Sequence, residues 1–128
     1  MPELTHDQKR DLVLNFYREV VLGQKFELAS KYMSPNYKQH TPACGDGVDG
    51  LLEFCRKLFT ALPEFKIEFK RVFVSDNYVV IHSHAVLAPG SRGEAVVDIF
   101  RLEGDKVAEH WDVVQSIPET ALNNNGMF

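Results

Sequence analysis

From Lys66 onward the apolar residues of this chain recur at every second position, and that switch of period limits the folds open to it. Lys66–Val74, Tyr78–Leu87, Glu94–Leu102 and Lys106–Ser116 read as strands rich in Val, Ile, Phe and Tyr. Short turns at Ser75-Asp76-Asn77, Pro89–Arg92 and Glu103-Gly104-Asp105 join them, so they follow one another in antiparallel hairpin order. The first half keeps a helical period. Thr5 or Asp7 caps a helix running to about Leu22, with Leu12, Val13, Phe16, Tyr17 and Val20 on one stripe and Gly23 ending it. Phe26–Met33 reads as a short second helix stopped by Pro35, and Val48–Ala61 as a third with Leu51, Leu52, Phe54, Cys55, Leu58 and Phe59 on its apolar face. Between them Tyr37–His40 is a short extended piece before the turn Thr41-Pro42. Helices followed by strands predict an α+β fold, one domain over residues 1–128, with three helices packed on one face of a mainly antiparallel sheet.

A chain of 128 residues buries a core without staples, and its 45% hydrophobic and 25% charged content is that of an ordinary globular protein. The net charge of −4 argues against a nucleic-acid or membrane-surface partner. No apolar run approaches the ~20 residues of a membrane span. The first residues lack the basic and apolar regions of a signal peptide, so a cytoplasmic location is expected. Cys44 and Cys55 are too few for a disulfide framework and read as free thiols, one in a loop and one on a helix. Phosphate-binding glycine loops, nucleophile elbows and dinucleotide fingerprints are absent. The tail Asn123–Phe128 is polar except at its end, where Met127 and Phe128 either fray or dock on the body or on a partner.

The chemistry concentrates in the last two strands. Asp98 interrupts an apolar run, and His110 and Asp112 share one face of the next strand while Trp111 takes the other. A three-residue loop, Glu103 to Asp105, sets Asp98 opposite His110; a two-residue Gly104-Asp105 loop sets it opposite Trp111. A carboxylate beside an imidazole on an apolar sheet is the material of an acid–base site. His40 stands at a strand-to-loop junction, where functional side chains are common. His82 and His84 share a face, and a five-residue loop from Ala88 to Arg92 sets His82 opposite Asp98 as a hydrogen-bond partner. A His-x-His pair also suits zinc or iron if Asp98 or His40 adds a third ligand.

Tyr37-Lys38-Gln39-His40-Thr41-Pro42, Val97-Asp98-Ile99-Phe100-Arg101 and Glu109-His110-Trp111-Asp112-Val113, in that order, resemble the SnoaL-like polyketide cyclase family, and within it the predicted SnoaL-like aldol-condensation enzymes. That family belongs to the nuclear-transport-factor-2-like (cystatin-like) superfamily, which also holds ketosteroid isomerase. The resemblance implies a curved sheet wrapped around three helices in a cone whose open end is a deep apolar pocket. It implies catalysis without metal or other cofactor, and a homodimer through the outer sheet face near Ile99 and Trp111. Set against ketosteroid isomerase, His40 falls at the proton-shuttling carboxylate and Asp98 at the protonated acid of the oxyanion hole. Phe16 stands where the isomerase has its catalytic tyrosine, with Tyr17 one step away. The resulting expectation is a cofactor-independent lyase, isomerase or cyclase acting on a small apolar carbonyl compound. His40, Asp98 and His110 would be catalytic, and Phe16, Tyr17, His82 and Asp112 would line the substrate. The alternative is a ligand-binding module with the same pocket and no turnover.

Overall fold

The computed structural model describes residues 3–128. Helix α1, His6–Phe16, opens with a capping box in which the Thr5 hydroxyl accepts from Gln8 N and the Gln8 side chain accepts from Thr5 N. The helix then widens into a π-helical turn, Tyr17–Leu22, closed by the Gly23 N–H donating to Arg18 O at 2.8 Å. The second helix is shorter than its sequence pattern: a 3₁₀ turn at Phe26–Leu28 and one α-turn at Ala29–Tyr32, called α2. Met33 already belongs to a strand, β1, Met33–Gln39. Pro35 is tolerated there because β1 is an edge strand. Helix α3, Gly47–Ala61, is capped by Asp46, and strands β2 (Lys66–Ser75), β3 (Tyr78–Val86), β4 (Glu94–Glu103) and β5 (Lys106–Ser116) follow. Among the described residues no helix is long and apolar enough to cross a membrane.

The strands lie in the order β1-β5-β4-β3-β2, antiparallel except that β1 pairs parallel to β5. This is the expected α+β architecture, a curved mixed sheet with helices against one face. The extended piece before Thr41-Pro42 is thus a fifth strand of the sheet.

Register decides which side chains face the helices. Glu103 pairs with Lys106, so the β4–β5 turn is the two-residue Gly104-Asp105 form, with Gly104 at φ 59° as a hairpin of this length requires. That turn alone would oppose Asp98 to Trp111. Instead β5 bulges: Leu102 pairs with Val107 but Arg101 with Glu109, leaving Ala108 as the extra residue. Val107 and Ala108 are consequently buried side by side, and beyond them the side chains exchange faces. Asp98 ends opposite Asp112, and Phe100 opposite His110, all on the helix-facing side. Neither of the two simple registers describes the hairpin.

The core joins Val13, Phe16 and Val20 of the first helix to Met33, Ile81, Leu102 and Val107. Phe16 is 1% exposed and meets Phe100 edge-on at 6.0 Å and Tyr32 at 6.2 Å. Replacing Phe16 by Ala should therefore lower stability by about 3–5 kcal/mol in urea unfolding, the range for deleting a buried aromatic ring.

Candidate active site

The concave face of β4 and β5 supplies the centre of the site. His110 Nε2 lies 2.7 Å from Asp98 Oδ1, and Tyr17 Oη donates to Asp98 Oδ2 at 3.1 Å. Asp98 is 2% exposed, so both its oxygens exchange water for protein partners, as a buried carboxylate requires. The π-helical turn begins at Tyr17, and the tyrosine's ring packs between Phe69 and Phe100 at centroid distances of 5.2 and 6.0 Å. Phe16, one step earlier, turns into the core and forms part of the cleft's back wall.

Behind the imidazole stands β1. Gln39 Oε1 lies 2.8 Å from His110 Nδ1 and accepts from the backbone N–H groups of His40 and Thr41 at 3.0 and 3.1 Å. Gln39 Nε2 donates to Tyr37 Oη at 2.7 Å, and Thr41 Oγ1 lies 3.3 Å from His110 Nδ1. The Phe100 ring covers the imidazole at 4.6 Å.

Two connected lobes open from this centre. The inner one, about 450 Å³ including the open solvent at its mouth, is walled by Phe16, Leu51, Phe54, Cys55 and Phe100 around Tyr37, Gln39, Thr41 and His110. The outer one, about 760 Å³ on the same basis, runs between α3 and the sheet past Leu58, Leu62, Phe65, Ile67 and Val114. They share Tyr17, Val21, Phe54, Asp98 and Asp112. Among the described residues, neither lobe is lined by Lys or Arg.

Electrostatics separates the titratable groups. Burial, helped by the nearby Asp98 carboxylate, keeps the Tyr17 phenol far above its usual range, so it stays a hydrogen-bond donor. Burial raises Tyr37 likewise. The Cys44 and Cys55 thiols, pushed up to about 11 and about 12 by burial, remain protonated and make poor nucleophiles. Asp112 is raised above the usual carboxylate value, first by desolvation and then by Asp98, with His110 and a Thr41 hydrogen bond opposing.

Two expected members are elsewhere. His40 follows the inward Gln39, so alternation turns it to the convex face. There its Nε2 lies 2.6 Å from Glu109 Oε2, and its ring stacks on Trp111 at 4.8 Å and 5°. Its hydrogen bond and that of Arg101 hold the Glu109 carboxyl below its usual value. His82 is also convex, because Ala85 pairs with Glu94 and so opposes Ile81, not His82, to Asp98. Gly93 permits that register: a Cβ there would lie 2.0 Å from Ala85 O. His82 instead contacts the Arg71 guanidinium, and His84 donates to Arg92 O at 2.7 Å. The tail folds back onto the same face, with the Phe128 ring stacked on His84 at 4.6 Å and beneath the Lys70 ammonium. The His82–His84 pair therefore lies on the face opposite Asp98, and among the described residues it forms no group of three ligand side chains with His40.

Asp98, His110 and Asp112 do offer ligand atoms within 4.8 Å of one another. A metal there would have to break the 2.7 Å contact between His110 and Asp98. Gln39, Tyr37 and Thr41 were not anticipated as site residues. Their signal was the period-two spacing Tyr37-x-Gln39-x-Thr41, which marks one strand face.

Comparison with known proteins agrees with this architecture. The family model for SnoaL-like polyketide cyclases matches residues 11–120. No curated protein matches the chain. Among solved structures, a SnoaL-like polyketide cyclase from Agrobacterium tumefaciens strain C58 superposes with TM-score 0.70 at 15% identity, over 90% of this chain and 93% of that one. TsrD from Streptomyces laurentii superposes at 0.71 with 20% identity, over 88% of this chain and 91% of its own. An NTF2-like protein of unknown function from Cytophaga hutchinsonii superposes at 0.68 with 20% identity, over 89% and 93%. At such identities the structural likenesses carry the fold alone. With a family match spanning most of its length, the chain belongs to the SnoaL-like polyketide cyclases of the NTF2-like fold.

Proposed function

We propose that this cleft carries out cofactor-independent proton transfer on a small, largely apolar carbonyl compound, in the manner of an aldol cyclase or isomerase, with Asp112 as the group that meets the substrate. The observation behind this reading is the contrast between two carboxylates opposed across β4 and β5. Asp98 is bonded at both oxygens, whereas Asp112 faces both lobes and, among the described residues, has only the Thr41 hydroxyl and the neighbouring imidazole to hold it. A carboxylate raised by desolvation in an apolar cleft is a stronger base once ionised than one in water. Asp112 would take a proton from the carbon beside a carbonyl, and the electron pair would pass onto the carbonyl oxygen as an enolate. The enolate carbon would then attack a second carbonyl of the same molecule, and the resulting alkoxide would recover the proton from Asp112. Asp98 and His110, locked together by Tyr17 and Gln39, would tune and orient this base without touching the substrate directly. The absence of Lys and Arg from the lining favours uncharged ligands over carboxylates and phosphates.

The alternative, a binding module, predicts a different response to mutation. Solvent deuterium exchange at the carbon between the carbonyls of cyclic β-diketones should be catalysed by the wild-type protein and fall ~10²–10⁴-fold in Asp112→Asn. Binding of the same diketones without any accelerated exchange would assign the cleft to a binding role.

Asp112 also gives a pH signature. Its folded-state pKa is raised, so its ionisation opposes folding. The associated stability is whole below the unfolded carboxyl value of about 3.9 and is lost as pH rises through the folded value. Asp112→Asn should therefore raise the urea midpoint at neutral pH and leave it unchanged at the acid end. Catalysed exchange should fall on the acid side as Asp112 protonates.

We further propose a homodimer through the convex face. Phe73, Val80, Ile99 and Trp111 align across four strands, and Phe73 is 58% and the nearby Val113 67% exposed. An apolar stripe of this kind, with an aromatic anchor, is the composition of an interface core. Light scattering should report a dimer for the wild type and monomer or aggregate for Trp111→Glu; an unchanged dimer would exclude this face.

A further inference from the structure

We propose that Gln39 fixes a proton on His110 Nδ1, so that His110 and Asp98 share one remaining proton between Nε2 and Oδ1. Donors and acceptors around Gln39 leave one arrangement of protons. The Gln39 amide cannot be turned over at little cost: its oxygen faces the backbone N–H groups of Thr41 and His40, which only donate. Of these, His40 N–H is shared with His110 O at 3.0 Å, while the other donates to Gln39 alone. Turning the amide over would aim its NH₂ at two N–H donors. At the other end Tyr37 Oη accepts from Nε2, and a hydroxyl would serve either orientation, so the backbone pair decides. An oxygen so fixed, 2.8 Å from His110 Nδ1, must meet an N–H there, because an unprotonated nitrogen would set lone pair against lone pair.

With Nδ1 protonated, the ring has two states. As neutral imidazole its Nε2 is an acceptor, and the 2.7 Å contact then requires the proton on Asp98 Oδ1. As imidazolium it donates to an ionised Asp98. Tyr17 donates to Oδ2 in either case. The pair is therefore uncharged overall both ways, and a single proton moves along one short contact. The tautomer with hydrogen on Nε2 alone is excluded. Gln39 acts as a positioning residue: through His110 Nδ1 it fixes which atom of the dyad can give or receive a proton beside Asp112. Its meaning for catalysis rests on the acid–base reading above, but the proton's position does not depend on any substrate.

The test is ¹⁵N-detected NMR of the histidine side chains in the full-length, ligand-free protein, with His110 assigned by the loss of its signals in His110→Gln. The wild type should show a directly bonded proton on Nδ1 throughout the pH range in which it is folded. In Gln39→Glu, which keeps an acceptor oxygen, Nδ1–H should persist. In Gln39→Met, which removes the acceptor, the Nδ1–H signal should weaken or give way to the Nε2–H form. A wild-type Nδ1 without a proton would overturn the proposal, even if Gln39→Met fails to fold. A folded Gln39→Met with an unaltered Nδ1–H signal would overturn it too, by transferring the role to Thr41. Failure of diketone exchange with the expected spectra would count against the acid–base function alone.

Discussion

Alternation along a strand leaves a side chain only two directions, so one inserted residue decides whether His110 meets Asp98 or faces away from it. Ala108 is that residue. A two-residue turn at Gly104-Asp105 suits the twist of the hairpin but would send His110 and Asp112 to the convex side. The bulge returns them to the helices at the expense of local ladder hydrogen bonding. Burial of both Val107 and Ala108 offsets part of that cost, and the contact between imidazole and carboxylate adds to it. His110 and Asp112 take their inward places from this irregularity.

A carboxyl group as buried as Asp98 tolerates few surroundings. Removing one partner of a buried, hydrogen-bonded charge typically costs about 3–5 kcal/mol, so Tyr17 and His110 are structural necessities whatever else they do. Each is fixed in turn by a departure from regular geometry or by a neighbouring strand: Tyr17 where the helix widens, His110 where β1 runs parallel to β5 and supplies Gln39. Phenols and thiols around them stay neutral because burial holds their protons.

The helices, four of the strands and the α+β layout were legible because each follows from a period of 3.6 or 2 sustained over many residues. Asp98, His110 and Asp112 were legible as polar breaks in apolar strands. Bulges and loop register were not, since they depend on a shift of a single residue that leaves the pattern almost unchanged. The adjacent pair Val107-Ala108 was the trace left by one of them. His82 was misplaced by one step of register at the Ala88–Arg92 connection, and His40 by one step along β1. In both cases the neighbour in sequence, Ile81 or Gln39, occupies the inward position. Tyr17 gained its direct contact with Asp98 at the start of a π-helical turn, which no periodicity announces.

The parallel pairing of β1 with β5 has a consequence for how the molecule comes to exist. The contact from Tyr17 to Asp98 spans 81 positions and that from Gln39 to His110 spans 71. Closing such spans is entropically unfavourable until the intervening hairpins are formed, and non-local pairings of this kind slow folding. A nascent chain released only as far as β4 holds Tyr17, Gln39 and Asp98 but no imidazole between them. Assembly of the cleft floor thus coincides with completion of the sheet, and partly made chains carry no working copy of it.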